Sequence, residues 1–242
     1  MGARCFGEFV GTAVLILLGD GVVANVLLKR SKAEGAGWLA IAAGWAFAVV
    51  FGVFTAIACG SPDAYINPAF TLGMAVSSGD FSKFWPFLVA QVLGAMVGAV
   101  LVWVHFLPHW RQTEDADVKL SCFSTMPAIR NFGANFLSEV IGTFVLVVAA
   151  AAIVSKRVAM SGPAADLGPF LVGVLVWAIG LSLGGTTGYA INPARDLGPR
   201  IAHWFLPLGK KNGSGWSYAP VPIVGPLAGA TLAGLFVRLV HF

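Results

Sequence analysis

"YINPAF", residues 65–70, and "AINPAR", residues 190–195, carry Ile-Asn-Pro-Ala twice in one chain, the second asparagine 125 residues after the first. A single Asn-Pro is ordinary turn chemistry. Here each copy opens a short apolar stretch, Asn67 to about Val76 and Asn192 to about His203. Ten to twelve residues make about 15–18 Å of helix, half the depth of a bilayer core. Proline suits the first helical position because its missing N–H is not needed there, and asparagine just before it is a good cap. The spacing predicts two half-helices, each beginning at its own asparagine.

The rest of the chain supplies the membrane. Of its 242 residues 57% are hydrophobic and 11% charged, where a soluble domain carries about a quarter charged. Six segments are apolar enough to be read as spans: roughly 5–28, 37–59, 83–107, 132–155, 167–183 and 217–240. The linkers are short and polar, the longest being about 108–131. The first apolar run has no small-residue cleavage site after it and reads as a retained span. The prediction is an all-α membrane protein and a single transmembrane domain over residues 1–242.

Residues 8–18, "EFVGTAVLILL", and 139–148, "EVIGTFVLVV", share Glu-x-x-Gly-Thr followed by an aliphatic run. Glu8 precedes Asn67 by 59 residues and Glu139 precedes Asn192 by 53. This is an internal repeat, about 5–107 and 132–240, each half holding three spans and one half-helix. Three is odd, so the second half enters from the opposite side and the repeat is inverted. Two half-helices then meet near the midplane, and the loops "CGSPDAY" and "GGTTGYA" line a polar path, the one place where non-helical backbone is tolerated at that depth.

Two Asn-Pro-Ala boxes, each with Glu-x-x-Gly-Thr upstream, resemble the aquaporin superfamily over nearly the whole chain. Within it, "NPARDLGPR" resembles the glycerol facilitators, whose second box is followed by Arg-Asp and Gly-Pro-Lys/Arg. The resemblance implies the aquaporin-like right-handed bundle and two pore motifs, Asn67-Pro68-Ala69 and Asn192-Pro193-Ala194. It implies a selectivity filter of Trp45, Gly180, Tyr189 and Arg195, with Phe47 as the substitute for Trp45. It also implies a homotetramer with one pore per subunit, and both termini in the cytoplasm at the cell membrane. Two departures stand out. Tyr189 replaces the more usual phenylalanine, and the loop before Asn67 is two residues longer, with Tyr65 at a histidine position and Asp63 near the inner mouth.

Each residue has a functional and a plainer reading. Asn67 and Asn192 offer N–H donors where the positive ends of the half-helices meet, turning a passing oxygen toward them and repelling cations; the plainer role is helix capping. Arg195 sits one turn into the second half-helix, where its fork suits neighbouring hydroxyls of a polyol; the alternative is a structural salt bridge. Trp45 and Tyr189 would form an apolar wall and Gly180 leave room for the solute, unless Trp45 is an interface aromatic. Glu8 and Glu139 accept hydrogen bonds from loop N–H groups, or relay protons. Asp196 braces the loop around Arg195. Asp20 lies late in the first span, as the partner of a loop cation or an attractor of solute. Gly94/Gly98 and Gly225/Gly229 have the spacing of close helix contacts. His105, His109, His203 and His241 read as interface or loop residues.

The lead reading is a passive channel for glycerol, water and other small neutral solutes across membrane lipid. The alternatives are a water-selective channel, and a proton-coupled transporter or small-acid channel. An enzyme is not expected: there is no nucleophile with a base and no nucleotide loop. No cofactor and no metal are expected, Cys5, Cys59 and Cys122 having no ligand spacing. The net charge of +4 is scattered over loops, not gathered into the basic stripe of a nucleic-acid binder. The termini-inside arrangement leaves Arg4, Lys83, Lys156, Arg157 and Arg238 inside and Lys29, Arg30, Lys32, Lys210 and Lys211 outside, a count that does not follow the positive-inside rule.

Overall fold

The computed structural model describes residues 1–155, 158 and 164–241. Ten helices account for nearly all of their regular structure: α1 (Gly2–Leu27), α2 (Trp38–Ala58), α3 (Pro68–Ser78), α4 (Phe84–His105), α5 (Leu107–Gln112), α6 (Ala116–Ser121), α7 (Phe132–Val154), α8 (Ala164–Leu183), α9 (Pro193–Phe205) and α10 (Pro220–Val240). Among the described residues five, α1, α2, α4, α7 and α10, are long and apolar enough to cross a membrane. The apolar part of α8, Leu167–Leu183, is shorter. Lys156 and Arg157, two of the cations assigned to the inside, lie outside the described residues.

Apolar side chains point outward as well as inward. Phe51 and Phe54 on α2, Leu93 and Val97 on α4, and Leu232 and Leu235 on α10 are all exposed. In water such ridges would be a liability; in lipid they are the solvated surface, while helix hydrogen bonding satisfies the backbone.

The packing is duplicated. Helix α1 packs on α2 and α4, and α7 packs on α8 and α10. Each half-helix docks on the opposite half: α3 lies on α10, and α9 lies on α4. The glycine pairs serve this packing. A Cβ on Gly94 would collide with the carbonyl oxygen of Phe9, and one on Gly98 would stand 2.5 Å from that of Ala13, so α4 touches the backbone of α1. Gly225 and Gly229 bring α10 equally close to Glu139 and Val140 of α7. Small residues are what let helix backbones approach in lipid.

The linker after α4 is folded rather than extended. Helices α5 and α6 turn it back over the bundle, with Trp110 stacked on Phe123 at 5.4 Å. Lys119 is carried inward and donates to the Leu208 carbonyl at 2.9 Å. Burial, with Lys210 nearby, lowers the pKa of its ammonium from the usual lysine value. The linker thus places Phe123, Ser124 and Thr125 beside the start of α9.

Candidate functional site

The two half-helices meet through their caps. Asn67 Oδ1 accepts from the N–H groups of Ala69 and Phe70 at 2.8 and 3.3 Å. Asn192 Oδ1 accepts from Ala194 and Arg195 at 3.0 and 3.3 Å. With the oxygens so engaged, the amide nitrogens point across the junction: Asn67 Nδ2 donates to the Ile191 carbonyl and Asn192 Nδ2 to the Ile66 carbonyl, each at 2.9 Å. Capping and donation are therefore simultaneous. Each Nδ2 carries two hydrogens, so one remains at each asparagine.

The loops that deliver these asparagines are strained in the same places. Ala64 and Ile66 have φ of 44° each, and Tyr189 and Ile191 have φ of 37° and 42°. These are the third and first residues before each asparagine. A β-branched residue at positive φ is costly, on the order of 1–3 kcal/mol, and persists only where its surroundings hold it. A buried carboxylate does the holding. Glu8 accepts from Ser61 Oγ and Tyr65 N through Oε1 at 2.7 and 2.9 Å, and from Ile66 N and Gln91 Nε2 through Oε2 at 2.7 and 2.8 Å. Glu139 accepts from Thr187 Oγ1 and Ala190 N at 2.6 and 3.0 Å, and from Ile191 N at 2.9 Å.

A cavity of about 480 Å³ runs along these loops, lined at one end by Asp63 and Tyr65, in the middle by Asn67 and Asn192, and further on by Trp45, Tyr189 and Arg195. Arg195 is 6% exposed and its guanidinium carbon lies 4.1 Å from the centre of the Trp45 ring. One of its nitrogens, Nη1, donates to Asp20 Oδ1 at 3.2 Å and to the Phe123 carbonyl at 3.3 Å. Asp20 therefore pairs with Arg195, not with a loop cation. Phe47 is half-exposed on the outer face and absent from the lining, whereas Trp45 is part of it.

Gly180 requires a correction. It is not part of the lining. A Cβ there would stand 2.8 Å from Cζ of Tyr189 and 2.9 Å from its hydroxyl. The room left by this glycine is taken by the tyrosine ring, not by a solute. The ring is also held edge-on by Trp38 at 5.7 Å, while Trp38 Nε1 donates to the Gly180 carbonyl at 2.9 Å. The Tyr189 hydroxyl is buried with no hydrogen-bond partner among the described residues, so it is not a partner of Arg195.

Asp196 faces away from the guanidinium of Arg195. It accepts from both the N–H and the hydroxyl of Thr125 at 2.8 Å, and from Arg200 Nε and Nη2 at 2.7 and 2.9 Å. It thus fixes the segment whose Phe123 carbonyl meets Arg195. Arg200 is fully buried and also donates to the Ser214 and Gly215 carbonyls at 2.8 and 3.0 Å. His203 is buried too, its Nδ1 2.8 Å from Ser214 Oγ, which corrects its reading as an interface or loop residue. At the other mouth Asp63 pairs with Arg4 at 3.1 Å and Lys83 at 2.8 Å.

Residues 2–237 match the model of the major intrinsic protein family. The chain belongs to the major intrinsic protein family. It is 53% identical to glycerol uptake facilitator protein 3 of Lactiplantibacillus plantarum, over 98% of this chain and 96% of that protein. It is 51% identical to a probable glycerol uptake facilitator protein of Thermotoga maritima, over 93% and 94% of the two chains. Its fold is similar to the X-ray structure of the aquaglyceroporin from Plasmodium falciparum, with a TM-score of 0.83, 27% identity, and coverage of 99% and 96%. Several residues that shape the site in this major intrinsic protein escape a reading by motif. Ser61, Gln91 and Thr187 complete the glutamate cages, and Trp38, Phe123 and Thr125 position the Tyr189–Arg195 end. Only the polar, buried Gln91 in an otherwise apolar span carried a signal that could have been read in advance.

Proposed function

We propose that this chain is a passive channel through which glycerol and other small uncharged solutes diffuse with water, while protons and ions are excluded. The observation that carries the reading is the continuous lining from Asp63 and Tyr65 past both asparagines to Trp45, Tyr189 and Arg195. It combines N–H donors with aromatic and aliphatic groups, including Val49, Val53 and Leu146. A polyol presents hydroxyls along one edge and C–H groups along the other, so both kinds of group find partners in this lining. Trp45, Tyr189 and Arg195 act as the selectivity filter, with Gly180 acting through the tyrosine ring it seats. Asn67-Pro68-Ala69 and Asn192-Pro193-Ala194 form the midpoint, where two half-helix N-termini oppose cations and interrupt a proton wire. Glu8, Glu139 and Asp196 support the loops. The channel domain comprises residues 1–242 with its inverted halves at about 5–107 and 132–240. It sits in the cell membrane with both termini cytoplasmic, as a homotetramer with one pore per subunit.

Stopped-flow light scattering on proteoliposomes tests this. A glycerol gradient should give fast shrinkage and then fast re-swelling, at rates unchanged between pH 6 and 8 and without proton current. Shrinkage without re-swelling would mean a water channel. Flux driven by a pH gradient would mean a coupled transporter.

A further inference from the structure

Asp20 is an acid that the duplicated pattern does not require. It lies twelve residues after Glu8; twelve residues after Glu139 the second half has Ala151. Arg195 is equally one-sided: it stands three residues after Asn192, where the first half has Phe70 after Asn67. The two unmatched charges come from opposite halves and meet at 3.2 Å, with Asp20 fully buried and its second oxygen without a hydrogen-bond partner among the described residues. The neighbouring acid is not available to compensate Arg195, because Asp196 is engaged by Arg200 at 2.7 Å.

The same turn of α1 sets the opposite wall. A Cβ on Gly19 would overlap the Trp45 ring, so that ring is seated on Gly19 while the adjacent Asp20 holds the guanidinium above it. Asp20 and Phe123 take the hydrogens of Nη1. Of the five N–H groups of an arginine, those on Nε and Nη2 have no acceptor among the described residues, and Arg195 lines the cavity.

We propose that Asp20 is a positioning and specificity-determining residue that cancels the charge of Arg195 and fixes which of its N–H groups face the solute. The proposal rests on Arg195 facing the solute path. With the half-helix ends already positive at the asparagines, an uncompensated arginine would make the path attractive to small anions. The ion pair removes that attraction and leaves directional N–H donors for hydroxyl groups.

The test uses the full chain in proteoliposomes, as wild type, Asp20→Asn and Asp20→Glu. Glycerol influx, water efflux and entry of potassium nitrate are followed by light scattering, with valinomycin carrying the potassium. Asp20→Asn keeps the shape and an acceptor but loses the charge. It should raise nitrate entry about tenfold over wild type, the direction expected when a buried countercharge is removed. Glycerol flux should fall no more than about threefold, and Asp20→Glu should exclude nitrate as wild type does. Asp20→Ser repeats the nitrate measurement should the Asn variant fail to insert. Wild-type nitrate entry in the uncharged variants with water flux retained would overturn the proposal, as would a proportional fall of glycerol and water with nitrate unchanged, which marks a mere strut. A wild-type protein passing no glycerol above protein-free vesicles would instead overturn the channel reading itself.

Discussion

The two re-entrant loops are alike in the caps, the strained residues and the buried glutamate that bend them, and unlike in the side chains that meet the solute path. Both end in an asparagine that caps its helix and reaches across to the other loop's isoleucine carbonyl. Both hold the third and first residues before it in the left-handed region, and both hang from a buried glutamate. Yet the first loop brings Ala64 and Phe70 to the cavity where the second brings Tyr189 and Arg195. The shared part is scaffold, and duplication preserves it because strained backbone persists only where its surroundings hold it. The differing part puts a guanidinium and a tyrosine ring at one end of the path, so one fold can carry a chemical preference without a change in its frame.

The two loops depend most heavily on their glutamates. Glu8→Gln should cost on the order of 3–5 kcal/mol, because an amide group would then face N–H donors that a carboxylate accepts. Glu139→Gln should cost less, since Glu139 holds two N–H donors and one hydroxyl where Glu8 holds three N–H donors and one hydroxyl. Thermal unfolding in detergent would rank them, and an equal loss would show that the loops are not loaded differently. Gly180→Ala comes next. Its Cβ should push the Tyr189 ring into the path and cut glycerol flux about tenfold while water falls less, since small steric changes at a filter act steeply on the larger solute; equal falls in both would refute the account of Tyr189. Asp63→Asn removes the partner of Arg4 and Lys83 and should lower stability by only about 0.5–1 kcal/mol, as expected for partly exposed pairs. Tyr189→Phe should be the mildest. It deletes a hydroxyl that has no partner among the described residues and leaves the ring, so stability should hold or rise by up to about 1 kcal/mol, with glycerol flux within about twofold. A large loss of flux there would mean that the hydroxyl meets the solute directly.

Spacing and composition made much of this legible. The duplicated Asn-Pro-Ala, the paired Glu-x-x-Gly-Thr and the apolar runs located the half-helices to within a few residues, because capping and hydrophobic length are local properties. The fates of Gly180, Asp20 and His203 were not legible. Each depends on a partner far away in the chain: Gly180 on which neighbouring ring fills its gap, Asp20 on an arginine 175 residues later, and His203 on the burial of Ser214 within "NGS".

By itself, then, the sequence determined a membrane-embedded helical chain with a repeated set of motifs and two short helices capped by asparagine, since periodicity, caps and hydropathy act over one or two turns. Only the tertiary structure decided that α3 docks on α10 and α9 on α4, that Tyr189 rather than a solute occupies the space beside Gly180, and that Arg195 enters the cavity already paired with Asp20. Those outcomes follow from close packing and from the need of buried charges for partners, and both conditions are met only when the two halves come together.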